Sequence, residues 1–136
     1  IVGMVAAREV TVAERAVTRT RLGQVRDEFE KTLRAGIPDL EINGDQGSRL
    51  VQHSHIRIPG VAAETLLIRL DQAGVAAAAG SACHSGAVTV SHVLAAMGRS
   101  AAEAAECVRF SFGWPSRPGD GSAAAAAVVA VAGSLR

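Results

Sequence analysis

The sequence is short of aromatic side chains: three Phe, one Trp and no Tyr among 136 residues. Apolar residues still make up 49%, which excludes bulk disorder. They are mostly Ala and Val, which pack helices closely but bury less area per residue. That predicts a domain part of whose surface rests on something else. Charge of one sign is also lacking, with 14 basic and 13 acidic side chains and a net charge of +1. No electrostatic case for nucleic acid or an anionic membrane follows. Cysteine is limited to Cys83 and Cys107, too few for a disulfide scaffold, so a reducing cytoplasm is the default compartment. No apolar run reaches the ~20 residues of a membrane span. Ala123 to Ala132, the nearest to one, is short and Ala-rich and reads as a packed helix. Gly-x-Gly-x-x-Gly and Walker-type loops are missing, and Lys31 is the only lysine. The start at Ile1-Val2-Gly3, with no basic leader, reads as a piece of a longer chain. The length suits one domain, residues 1–136.

The first third has a helical pattern. Thr11 to Glu14 has capping-box spacing, and Leu22, Val25, Phe29 and Leu33 then recur on one helical face. Residues 1–10 read as a separate helix or as the end of one begun upstream. Gly36 and Pro38 stop the helix, and Asn43-Gly44-Asp45 is a turn. A strand is expected over Leu50 to Ile58, a helix over Ala62 to Ala73, and an extended segment over Val75 to Ala78. Gly80 to Gly86 is a small-residue loop. Ser91 caps a short helix ended by Gly98, and Ser100 to Glu103 is a second capping box. Cys107 to Phe112 alternates, with Val108, Phe110 and Phe112 on one face and Cys107, Arg109 and Ser111 on the other. A Pro/Gly-rich loop from Trp114 to Gly121 precedes a final Ala-rich helix. The expected fold is a small α/β or α+β domain, a small sheet packed against helices.

Three groups could carry chemistry. Cys83 lies in Gly80-Ser81-Ala82-Cys83-His84-Ser85-Gly86, where little side-chain bulk is available to bury a thiol. A nucleophilic cysteine needs access and a means of becoming thiolate. The bland alternative is a free cysteine in a tight turn. Arg109 stands on a strand whose other face is apolar, so its guanidinium is fixed for two-point capture of a carboxylate. The alternative is a surface arginine paired with an acid. His53, His55 and Arg57 share a strand face. Two histidines at i and i+2, with Cys83 or His84, could hold a metal, but no Cys-x-x-Cys or His-Glu-x-x-His accompanies them, so a solvated or interface face is the better reading.

Gly80-Ser81-Ala82-Cys83, then Ser91-His92-Val93-Leu94-Ala95-Ala96-Met97-Gly98, then Val108-Arg109-Phe110-Ser111-Phe112-Gly113, together resemble the C-terminal domain of group I (NifS/IscS-type) cysteine desulfurases, members of the class V aminotransferase family. Asn43-Gly44-Asp45, the strand ending at Ile58 and the Glu64 to Asp71 stretch match in spacing, so the resemblance covers essentially the whole chain. It implies the small domain of a fold-type I pyridoxal-phosphate enzyme. Cys83 then matches the cysteine that takes sulfur from L-cysteine as a persulfide, leaving L-alanine. Arg109 matches the arginine that holds the substrate carboxylate. A sulfur-acceptor protein for iron–sulfur cluster or thio-modification pathways, a homodimer at full length and the cytoplasm are also implied.

The family's cofactor lysine, stacking histidine and ring-nitrogen aspartate belong to its large domain, and Lys31 does not match that lysine. Cofactor binding is therefore expected outside these residues. Departures from the family pattern include Ala78-Ala79 for two serines, Thr89-Val90 for Glu-Pro, Val51-Gln52 for Pro-Asn and His55 for Asn. Rival readings are a cofactor-free persulfide carrier, an inactive truncated remnant and, more remotely, a metal module.

Overall fold

A computed structural model describes residues 1–79 and 91–136. The segment 80–90, with Cys83, His84 and the Gly80–Gly86 loop, lies outside the described residues. The element order is α1 (Val2–Gly36), β1 (Glu41–Ile42), β2 (His53–Arg57), α2 (Ala63–Gln72), α3 (His92–Ala96), α4 (Ala101–Ala104), β3 (Cys107–Ser111) and α5 (Asp120–Ser134). The described strands form one antiparallel sheet in the order β1-β2-β3. Helices cover one of its faces, which makes an α+β domain.

One helix, α1, fills the first quarter of the chain, and the capping box read at Thr11 to Glu14 is not there. The Thr11 hydroxyl instead donates back to the Ala7 carbonyl at 2.7 Å within a continuous helix. Thr-x-x-Glu spacing also occurs inside helices, where a back-bonded hydroxyl leaves the chain helical. The two halves of α1 differ in burial. Leu22, Val25, Phe29, Glu30 and Leu33 are buried at i, i+3, i+4 spacing. Ahead of them Val2, Met4, Val5, Val10, Val12 and Val17 are exposed.

The core lies between the second half of α1, α5, α2 and the inner sheet face. Ile56, Ile58, Val108 and Phe110 point into it. Phe29 meets Phe110 at a ring-centroid distance of 4.8 Å and Phe112 edge-on at 5.4 Å. Small residues let α5 approach α1 closely, as the Ala-rich composition predicts. A Cβ on Gly121 would overlap the Val25 carbonyl oxygen, and one on Gly36 would crowd Val129. One polar group crosses the inner face: Ser54 donates to Glu30 at 2.8 Å, and Arg49 grips both Glu30 oxygens at 2.7 and 2.8 Å.

The capping box at Ser100 and Glu103 has both of its bonds. Ser91 occupies an N-cap position as expected, but its side chain makes no cap bond. The expected extended segment after α2 reduces to one antiparallel bridge, Ala78 with Arg109. It is closed by Arg109 N–H to Ala78 O at 2.7 Å and Ala78 N–H to Arg109 O at 3.0 Å.

Candidate functional site

The outer face of the sheet carries His53, His55 and Arg57 from β2, and Cys107, Arg109 and Ser111 from β3. Register puts His53 opposite Ser111, His55 opposite Arg109 and Arg57 opposite Cys107. Cross-strand partners share a face, with Cβ atoms about 5 Å apart. This face has two ends of opposite electrostatic character.

At one end every charge is answered. Arg57 Nε donates to Glu106 at 2.8 Å, and its Nη1 reaches Glu41 at 2.7 Å and Glu103 at 3.2 Å. Arg99 bridges Glu41 and Glu103. Hydrogen bonds from Ser100 hold the Glu103 carboxyl below its ordinary pKa, with Arg57 and Arg99 adding to the effect. Cys107 shares the face of Arg109 and Ser111, as the alternation predicts, yet it is only 1% exposed. Asn43 covers it, donating to Sγ at 3.4 Å, while the thiol donates to the Glu103 carbonyl at 3.2 Å. Burial pushes this thiol pKa up, so Cys107 is an inert structural cysteine.

Arg109 holds the other end. Its side chain is exposed on β3, and among the described residues no carboxylate lies within ion-pair distance of it. The surface-ion-pair alternative is thereby set aside for the described residues. Its backbone is held on both sides, by the β2 register and by the Ala78 bridge. Cys83 follows Ala78 by five positions in the sequence, and it lies outside the described residues.

His53 and His55 share this end of the face with Arg109, His55 directly across the ladder from it. The His53 ring shares a hydrogen bond with the Ser111 hydroxyl at 2.9 Å, through Nδ1. Burial first, and the Arg109 charge second, hold its pKa below the ordinary value. His55 is lowered by burial, then by Arg109 and Arg99. Both rings are therefore neutral near pH 7, leaving Arg109 as the cation at this end of the face. No group of three His, Cys, Asp or Glu side chains converges among the described residues.

The sequence reading missed Asn43 and Arg99. Asn43 is buried and organises the face between its two ends. It was legible only as part of a turn, because its partners, His55, Arg99 and Cys107, are distant in sequence. Lys31, the one lysine, is exposed on α1. An amine exposed on a helix surface does not suit Schiff-base chemistry, which uses a desolvated lysine of lowered pKa.

No family model matches the chain. Curated relatives do match it. A cysteine desulfurase from Trichormus azollae is 38% identical over 111 residues, covering 82% of this chain and 28% of the relative. A putative cysteine desulfurase IscS 1 from Bacillus subtilis is 39% identical over 83% of this chain and 30% of its own. An IscS-like cysteine desulfurase from Mycobacterium tuberculosis is 37% identical over 90% and 32%. The chain thus spans about three tenths of the length of the relatives it matches. Among solved structures, a NifS-like protein superimposes with a TM-score of 0.81 over 96% of this chain and 32% of its own, at 18% identity. A NifS-like protein from Rickettsia africae gives 0.64 over 84% and 28%, at 23% identity. These two likenesses show the fold.

Proposed function

Because this chain is a relative of the NifS- and IscS-type cysteine desulfurases over four fifths of its length, we propose that it is the C-terminal small domain of such an enzyme. The observation that carries the reading is Arg109: an exposed guanidinium, fixed on a strand, with no acid among the described residues to occupy it. A charge held without a partner suits a carboxylate that arrives with the substrate.

In this reading Arg109 binds the α-carboxylate of L-cysteine in two-point fashion and sets the distance to the reacting sulfur. Cys83 is the nucleophile. Its thiolate forms a bond to the substrate sulfur as the substrate's carbon–sulfur bond breaks. The electron pair of that bond stays with carbon, which takes a proton, so the products are alanine and a Cys83 persulfide. Pyridoxal phosphate, when held by the large domain of such an enzyme, would supply the electron sink that makes the carbon–sulfur bond labile. The persulfide passes to an acceptor protein of iron–sulfur cluster or thio-modification chemistry, in a homodimeric cytoplasmic enzyme. The apolar residues left exposed on the first half of α1, with Trp114 at 76% exposure, support a larger domain resting there.

The test is cysteine turnover by the full-length protein loaded with pyridoxal phosphate, assayed as alanine and, with a thiol reductant, as sulfide. Cys83→Ser is expected to abolish turnover while leaving cofactor absorbance intact. Undiminished alanine production by that variant overturns the assignment.

A further inference from the structure

A chain of donors and acceptors runs across the outer sheet face and ends beside Arg109. It begins at Arg99, whose Nε can only donate, and does so at 3.0 Å to Asn43. The Asn43 atom there must be its carbonyl oxygen, so the orientation of the amide is fixed. Its NH2 group then faces His55 Nδ1 at 2.9 Å and Cys107 Sγ at 3.4 Å. Each amide hydrogen has one acceptor. His55 Nδ1 must accept, so the ring carries its proton on Nε2. The two ring nitrogens point apart. With Nδ1 taken up by Asn43, Nε2–H is the one remaining donor of the ring, on the residue that pairs with Arg109 across the ladder.

We propose that His55 is a neutral donor of fixed tautomer, and that its Nε2–H joins Arg109 in binding the substrate carboxylate. The proposal rests on Arg109 being the carboxylate anchor and adds a second, uncharged point of attachment. Register supports it, because His55 is the residue directly opposite Arg109 across the β2–β3 ladder. Chemistry supports it too. Arg109 alone gives charge and two parallel bonds, and a neutral donor beside it fixes the carboxylate plane without adding positive charge. Asn43 and Arg99 are positioning residues in this scheme: they act on the substrate only through the ring of His55.

Steady-state kinetics of the pyridoxal-phosphate-loaded full-length protein with L-cysteine test this through two isosteres. Gln places an amide N–H where His55 has Nε2–H, whereas Asn places one where His55 has Nδ1. His55→Gln is expected to keep KM within about threefold of the parent, and His55→Asn and His55→Ala to raise it about tenfold with kcat little changed. Arg109→Ala is run beside them. If it raises KM while all three His55 variants leave KM unchanged, the role of His55 is overturned and the anchor stands. If Arg109→Ala also leaves KM unchanged, the anchor itself is overturned. Equal KM increases in His55→Gln and His55→Ala would mean a packing role and would overturn the donor assignment. Should His55→Ala lose its folded circular dichroism, the Gln and Asn pair alone decides.

Discussion

Arg57 and Arg109 stand on the same face of the same sheet, in positions adjacent along the register, and their surroundings are opposite. Arg57 is met by Glu41, Glu103 and Glu106. Arg109 has no carboxylate among the described residues and shares its end of the face with two neutral histidines. Residue type and strand alternation do not separate them, since each is an arginine on the outer face of an alternating strand. Their neighbours do. An arginine saturated by internal acids is committed to the fold, whereas one left unanswered on a rigid strand is ready for an external anion.

The largest expected effect breaks the pair apart. Arg109→Ala in the full-length enzyme should lower kcat/KM for L-cysteine by about a hundredfold or more, the loss of a two-point charged contact. Arg57→Ala should leave kcat/KM within about twofold and lower the melting temperature instead. The same assay with thermal unfolding on both variants checks this. Reversed outcomes would mean that the acid-rich end is the functional one.

Arg49 extends the comparison into the core. Its acid, Glu30, is 6% exposed and also receives the Ser54 hydroxyl. Removing one partner of a buried pair leaves the other charged and unsolvated, which costs about 3–5 kcal/mol. Glu30→Ala should therefore destabilise by about that amount in urea unfolding. Arg49 Nε already lacks a partner, so little else in the structure can absorb the loss. A change under about 1 kcal/mol would show that this pair is solvated as surface pairs are.

These contrasts also mark what could be read from the sequence alone. The strand at Cys107, the capping box at Ser100, the helix after Ala62 and the Ala-rich last helix are written in local spacing, and the structure has them. The alternation that put Arg109 on the outer face was equally legible. The burial of Cys107 was not, because it depends on Asn43 and Glu103, and Asn43 is 64 residues away in the chain. Nor was the two-residue β1, which is too short to show a period, nor the pairing of Arg57, whose acids come from two segments far apart in the chain. The false capping box at Thr11 failed for the reverse reason: a local motif occurred where the surrounding chain was already helical. Local patterns predicted elements, and the electrostatic difference between two arginines required the tertiary fold.

A smaller effect would make the two ends alike. Ser111→Asp places a carboxylate two positions along the strand from Arg109, on the same face and opposite His53. It gives Arg109 the internal acid that Arg57 already has. KM for L-cysteine should rise about tenfold, while Ser111→Asn, equal in size and uncharged, should change it by less than about threefold. Equal effects of Asp and Asn would assign the loss to bulk at Ser111 and leave the charge argument without support.

The smallest effect is on stability against pH, and it also divides the face in two. His53 and His55 have pKa values depressed in the fold, chiefly by burial and then by Arg109. Their ordinary value is about 6.5. Just below it the unfolded chain binds protons that the folded chain refuses, so stability rises with pH there. The contribution of these histidines is fully present above about pH 6.5 and is lost as pH falls through their folded values. At the acid-rich end Glu103 is also depressed, but its window lies lower, below about pH 4.5. The Cys107 thiol is raised by burial, so its contribution is lost in the other direction, as pH rises past about 8.5. Unfolding free energy should therefore be flat between about pH 7 and 8 and fall on both sides. The double variant His53→Gln, His55→Gln should remove the decline between about pH 6.5 and 5 and leave the steeper loss near pH 4 in place. A decline unchanged in that variant would detach the mildly acidic step from the Arg109 end of the face.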